Sequence, residues 1–276
     1  MGNGLISALI FDIDGSIMPQ GGPIDPKVAE FFRRLQTAGL KMGPATGKNA
    51  DYCRGLACGI GVVWDYIIAE TGAQFLELIS ANPPSFRQRK LQGVDDDLSR
   101  FLDIIDYKQF GRTFRFYDRD ENFRPELKEG ILTLFPAGSD GSEIDVTLPW
   151  VSYFEGIVKH FRLSLNIQRH SDGCIDVVPK VVSKALGIRN VCDLYGIGER
   201  NILTVADGKN DDQLVEGRLN AIVVGNGNQS LKDAARAIGG YVAGAPCGDG
   251  FIEGMKYFNT LLKYFEPKVA EEILHF

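Results

Sequence analysis

The run Leu9-Ile10-Phe11 is short, apolar and halted by Asp12-Ile13-Asp14-Gly15-Ser16. A run of this length ending on polar residues has the pattern of a buried strand. Where the strand runs out, two carboxylates two positions apart can point to the same side, and Gly15 lets the chain turn away sharply. In an open parallel sheet, ligands occupy the crevice beyond the carboxyl ends of the strands. Two carboxylates placed there are costly unless a cation or a proton compensates them. Mg²⁺, a hard cation that takes oxygen ligands, fits that need.

The rest of the chain repeats the theme. Asp25 and Pro26 make an N-cap and a first helical residue, and Val28, Phe31, Phe32 and Leu35 then mark one face of a helix that Gly39 ends. Leu40 to Ala45 reads as a second strand, closed by Thr46-Gly47-Lys48, and a second helix follows to about Gly59. Tyr66 to Ala69 is a third strand, and the alternation predicts a doubly wound parallel sheet. At Asn82-Pro83-Pro84 the rhythm changes, and the two prolines read as a boundary. A helix through Leu98, Phe101, Leu102 and Ile105 follows. Strand-like runs come next at Thr113 to Tyr117, Gly130 to Phe135, Leu163 to Gln168 and Cys174 to Val178, with a helix from about Pro149 to Phe161. After Pro179 the sheet pattern returns: a helix from Lys184 to Tyr195, strands at Ile202 to Val205 and Ala221 to Val224, and a last helix from about Gly250. The expected fold class is α/β, a Rossmann-like parallel sheet built from residues 1–81 and 179–276. An α+β domain, residues 82–178, is inserted in it, with hinges at Asn82-Pro83-Pro84 and Ser171-Asp172-Gly173.

Composition narrows the partners. A net charge of −6 without any Lys/Arg-rich run argues against a nucleic-acid partner, and no stretch approaches a membrane span. The N-terminus has no signal-peptide pattern. Five cysteines with no C-x-x-C pair and no zinc spacing point to reduced thiols and a cytoplasmic location. A chain of 276 residues has room for about two domains; a monomer or small homo-oligomer is expected.

Three apolar strands each end on polar or reactive residues, namely Asp12 and Asp14, Thr46, and Asp207. Strand ends of a parallel sheet lie along one edge, so these residues can meet. Taken with their neighbours, they resemble the motifs of the haloacid dehalogenase superfamily, most of whose members are phosphatases. Asp12-x-Asp14-Gly-Ser is similar to the first motif, Thr46 in Ala-Thr-Gly-Lys to the second, Lys184 in Pro-Lys-Val-Val-Ser-Lys-Ala to the third, and Asp207-Gly-Lys-Asn210-Asp211 to the fourth. An insertion between the second and third motifs resembles the subgroup with a large α+β cap, which includes Cof-type sugar phosphatases, sucrose-phosphatase and phosphomannomutase. Ile68 to Ala73 is similar to a turn of that subgroup, with Thr71 where Asn is usual; Ala206, Ser16 and Lys48 stand where Gly, Thr and Arg are commoner.

The resemblance implies roles. Asp12 would be the nucleophile, forming an aspartyl-phosphate, and Asp14 the acid that protonates the leaving alkoxide and then the base for water. Unperturbed, Asp12 would be ionised at neutral pH. Asp12, Asp14 and Asp207 would hold Mg²⁺, Asp14 through its backbone carbonyl. Lys184 would offset the carboxylates and hold the phosphoryl group, and Asn210 and Asp211 would orient these groups from behind. Gly15, Ser16, Thr46, Gly47 and Lys48 would bind phosphate, and Arg115 and Arg169 of the cap would meet the rest of a small phosphorylated substrate. Plainer readings exist: Thr46 as an N-cap, Asp211 as a helix-start acid, Lys180 in place of Lys184, and His170 in a structural role. The implied activity is a Mg²⁺-dependent sugar phosphatase. A phosphosugar mutase and a non-catalytic phosphosugar-binding module are the alternatives.

Overall fold

A computed structural model describes residues 5–89, 95–105, 123–126, 128–136, 148–170, 173–217, 220–260 and 264–276. They form two compact units, Met1–Arg89 with Ser183–Phe276, and Lys90–Val182.

The first unit is built on β1 (Ala8–Phe11), β2 (Lys41–Pro44), β10 (Ile202–Ala206), β11 (Asn220–Val223) and β12 (Tyr241–Val242). They form one parallel sheet in the order β12-β11-β10-β1-β2. Every residue of β1 and β10 is buried, as expected for strands covered on both faces. One face carries α1 (Pro26–Ala38) and α7 (Cys247–Thr260), whose Phe31, Phe32, Phe251 and Met255 join a core with Leu9 and Phe11. The other face carries α5 (Lys184–Tyr195) and α6 (Gln229–Ala237), whose Ile188, Val191 and Leu231 pack with Ala8 and Ile10. The signals read for α1 act as expected: the Asp25 side chain accepts from Lys27 N–H, and Gly39 takes a left-handed C-cap (φ 92°). Full burial of each of Val28, Phe31, Phe32 and Leu35 contributes roughly 1.5–3 kcal/mol before ordering costs.

Four expectations are corrected. β3 (Tyr66–Ala69) touches the parallel sheet through one bridge, Ala45 to Ile68, and otherwise pairs antiparallel with β4 (Gln74–Ala81). β4 pairs in turn with β5 (Pro84–Arg89), so Asn82-Pro83-Pro84 is the turn of a hairpin rather than a hinge. The second expected hinge is likewise flanked by two paired strands. His170 and Gly173 belong to the turn between β8 (Leu165–Arg169) and β9 (Ile175–Pro179), where His170 N–H donates to Cys174 O, while Ser171 and Asp172 lie outside the described residues. Finally, α7 is followed by a further helix, α8 (Pro267–Leu274).

In the second unit, β6 (Phe123–Glu126), β7 (Leu132–Pro136), β9 and β8 form an antiparallel sheet in the order β6-β7-β9-β8. Leu132, Leu134, Ile175 and Val177 pack with Leu98 and Phe101 of α3 (Asp95–Ile104) and Phe154 of α4 (Leu148–His160). Alternation turns Thr133 and Asp176 to the other face. There Lys128 donates to Thr133 Oγ1 (2.7 Å), Thr133 to Asp176 Oδ1 (2.5 Å), and His170 Nε2 lies 2.9 Å from Asp176 Oδ2. The strand read at Thr113 to Tyr117 lies outside the described residues.

Candidate active site

Asp12 follows β1 directly, Asp207 follows β10 and Thr46 follows β2 by two residues, so adjacent parallel strands deliver all three to one edge. Lys184 reaches the same place from the first residue of α5, whose N-cap is Ser183. Its side chain is only 1% exposed, and Nζ lies 2.8 Å from Asp12 Oδ1 and 2.5 Å from Asp211 Oδ1. Lys180 is exposed and belongs to the second unit.

Asp211 holds a larger place than the sequence implied. A 3₁₀ turn, Lys209–Leu214, brings it back toward the strand end. Its Oδ2 accepts from the N–H groups of Asp207 (3.2 Å) and Gly208 (3.0 Å), while Oδ1 takes Lys184. It is therefore a helix-start acid that also meets Lys184 and lies beside Asp12 and Asp207. Oxygens of Asp12, Asp207 and Asp211 lie within 4.8 Å of one another. The third carboxylate of the cluster is Asp211, not Asp14: the Asp14 side chain turns aside, 3.3 Å from Lys48 Nζ, and accepts from Gly21 N–H. Asn210 is exposed and folds against Gly208.

The Asp14-to-Ser16 turn fits around Asp207. Ser16 Oγ donates to Asp207 Oδ1 (2.7 Å). Gly15 has φ 83°, and a Cβ there would stand 2.2 Å from Asp207 Oδ2, so both backbone and space demand glycine. Thr46 is buried and does not cap a helix. Asn49 caps α2 (Ala50–Ile60), and the Thr46 hydroxyl accepts from Lys48 N–H (3.2 Å) across Gly47. Arg169 stands exposed on β8 in the second unit, and Arg115 lies outside the described residues.

Burial dominates the electrostatics. It raises the Asp12 pKa to about 8 against the pull of Lys184, with Asp211 and Asp207 adding to the rise. Burial likewise raises Asp207 to about 6, opposed by the Ser16 hydrogen bond. Burial alone would lower the Lys184 pKa, but Asp12 and Asp211 raise it above its ordinary value. One ammonium thus faces three crowded carboxylates. Hard oxygen donors with charge left to balance are the set a divalent cation requires, so the residues fit such an ion.

Residues 151–259 match the family model described as sucrose-6F-phosphate phosphohydrolase. Over 237 residues the chain is 23% identical to a phosphoglycolate phosphatase of Methanopyrus kandleri, covering 85% of this chain and 90% of that protein. The sucrose-phosphatase of Synechocystis has the same fold with a TM-score of 0.63 and 17% identity, over 94% of this chain and 99% of that one. A haloacid dehalogenase-like hydrolase from Bacteroides thetaiotaomicron gives 0.64 and 15%, over 98% and 99%. In its fold, in the motifs at its strand ends and in its relatives, the chain is similar to phosphatases of the haloacid dehalogenase superfamily.

Proposed function

We propose that the protein is a Mg²⁺-dependent phosphatase that hydrolyses a small metabolite of the sugar-phosphate kind through an aspartyl-phosphate. The observation that carries this reading is the Asp12–Lys184–Asp211–Asp207 cluster at the ends of β1 and β10. An Asp12 oxygen forms a bond to phosphorus as the ester P–O bond breaks, and Asp14 gives a proton to the departing alkoxide. Asp14 then takes a proton from the water that attacks the phosphorus, which frees Asp12 and releases inorganic phosphate. Lys184 holds Asp12 in position and offsets negative charge on the phosphoryl group. Ser16, Thr46, Gly47 and Lys48 form its cradle. Asp12 and Asp207, with Asp211 beside them, would hold the cation, which when bound neutralises charge on the transferring group.

The second unit carries none of the four motifs. In this reading it is the cap that selects the substrate. Its polar sheet face, with Lys128, Thr133, Asp176 and His170, has hydrogen-bonding groups suited to hydroxylated compounds.

The test is inorganic phosphate release across a panel of hexose phosphates, sucrose 6-phosphate and 2-phosphoglycolate, with and without Mg²⁺, beside Asp12→Asn. Release should require Mg²⁺ and vanish in the variant, because an amide is a far weaker nucleophile. Full activity after exhaustive chelation, or substantial turnover by Asp12→Asn, overturns the proposal. An isomeric sugar phosphate as product, in place of inorganic phosphate, would identify a mutase.

A further inference from the structure

The turn after β3 departs from the backbone preferences of its own residues. Glu70 (φ 51°) and Thr71 (φ 60°) are both left-handed, and Gly72 (φ 101°) follows. A left-handed residue other than glycine is uncommon, and for a β-branched side chain it is an outlier. The surroundings hold the turn in place. Glu70 N–H donates to Lys48 O and Thr71 N–H to Thr46 O, both at 2.9 Å. On the other side, a Cβ on Gly72 would stand 2.2 Å from Ser183 O, so the turn is wedged between the Thr46-to-Lys48 loop and the start of α5.

The Thr71 side chain lies where this loop bends. Its Oγ1 is 3.9 Å from the point a Cβ on Gly47 would occupy. The residue is half-buried, and among the described residues no group accepts from or donates to this hydroxyl. Nothing in the pairing of β3 with β4 requires threonine there, and glycine or asparagine would take the left-handed conformation at lower cost. Strained backbone that persists because its surroundings over-determine it is concentrated at ligand clamps. Here it sets an unpaired hydroxyl beside the loop that cradles phosphate.

We propose that Thr71 is a further substrate-binding residue, whose hydroxyl donates to an oxygen of the bound phosphoryl group beside Gly47. This rests on the phosphatase reading. A purely structural Thr71 would instead leave its hydroxyl to solvent, and its removal would leave phosphate binding unchanged.

Thr71→Gly and Thr71→Ser separate the two, with thermal unfolding, kcat/KM for acetyl phosphate and inhibition by inorganic phosphate as readouts. Thr71→Gly relieves the strain and removes the hydroxyl. It should unfold at a higher temperature than the wild type yet lose about tenfold in kcat/KM, the scale of one hydrogen bond to a charged oxygen, with weaker phosphate inhibition. Thr71→Ser keeps the hydroxyl and should stay within about twofold of the wild type, since no hydrogen bond is lost. If Thr71→Gly matches the wild type while Asp12→Asn is inactive, this inference fails and the phosphatase reading stands. If both Thr71 variants lose stability and activity together, the residue is structural and the inference also fails. A wild type that releases no phosphate from any ester would end the phosphatase reading, and this assignment with it.

Discussion

Lys184 is the residue on which the site turns, because among the described residues it is the cation that pairs with both Asp12 and Asp211, with a side chain only 1% exposed. Lys184→Met keeps most of the volume and removes the charge. Two carboxylates would then face each other uncompensated, which costs about 3–5 kcal/mol. Denaturant unfolding should show the midpoint falling with an unchanged slope; a variant as stable as the wild type would mean the carboxylates are neutral in the folded protein. The placement of Asp12, Asp207 and Lys184 was legible because each ends an apolar run or opens a helix. The directions of the Asp14 and Asp211 side chains were not. The direction of the Asp211 carboxylate is set by the sense of a 3₁₀ turn and by a lysine on another helix. Asp14 is drawn aside by Lys48, which sequence motifs do not couple to it.

Among the elements, the β4–β5 hairpin was the one the sequence concealed. Asn82-Pro83-Pro84 serves as well for a chain boundary as for a hairpin turn, and only the pairing of Leu78 with Phe86 and Glu77 with Arg87 decides it. The hairpin carries a buried charge of its own. Glu77 is 3% exposed and meets both Arg87 and Arg89. Burial alone would raise its pKa, but hydrogen bonds from the two arginines outweigh that and the net shift is downward. Its ionised form is thus favoured by folding. The resulting stability is present above the unfolded-state value of about 4.3 and is lost as pH falls through the lower folded one. In thermal unfolding between about pH 3 and 5, the range spanning that loss, Glu77→Gln should show a shallower acid decline than the wild type. Parallel declines would place the acid sensitivity elsewhere.

For the whole molecule, the change of rhythm along the chain does not mark the limits of the two compact units. The first unit keeps β5 and so runs to Arg89; the second keeps Lys180, whose N–H donates to Ser164 O, and runs to Val182. If the second unit selects the substrate, Arg169→Ala should change the ratio of kcat/KM for sugar phosphates to that for acetyl phosphate. Equal proportional loss on both would remove Arg169 from selection. The sheet order carries a further consequence, for synthesis. β1 needs β2 on one edge and β10 on the other, and Ala8 pairs with Ile202. On the ribosome β2 follows at once, whereas β10 emerges only after the entire second unit, a wait of roughly ten seconds or more at ordinary elongation rates. During that interval the strand leading to Asp12 has an open, wholly apolar edge, a template for mispairing. The nascent protein is therefore most in need of chaperones in the interval when its second unit is free to fold and the strand leading to Asp12 cannot yet close.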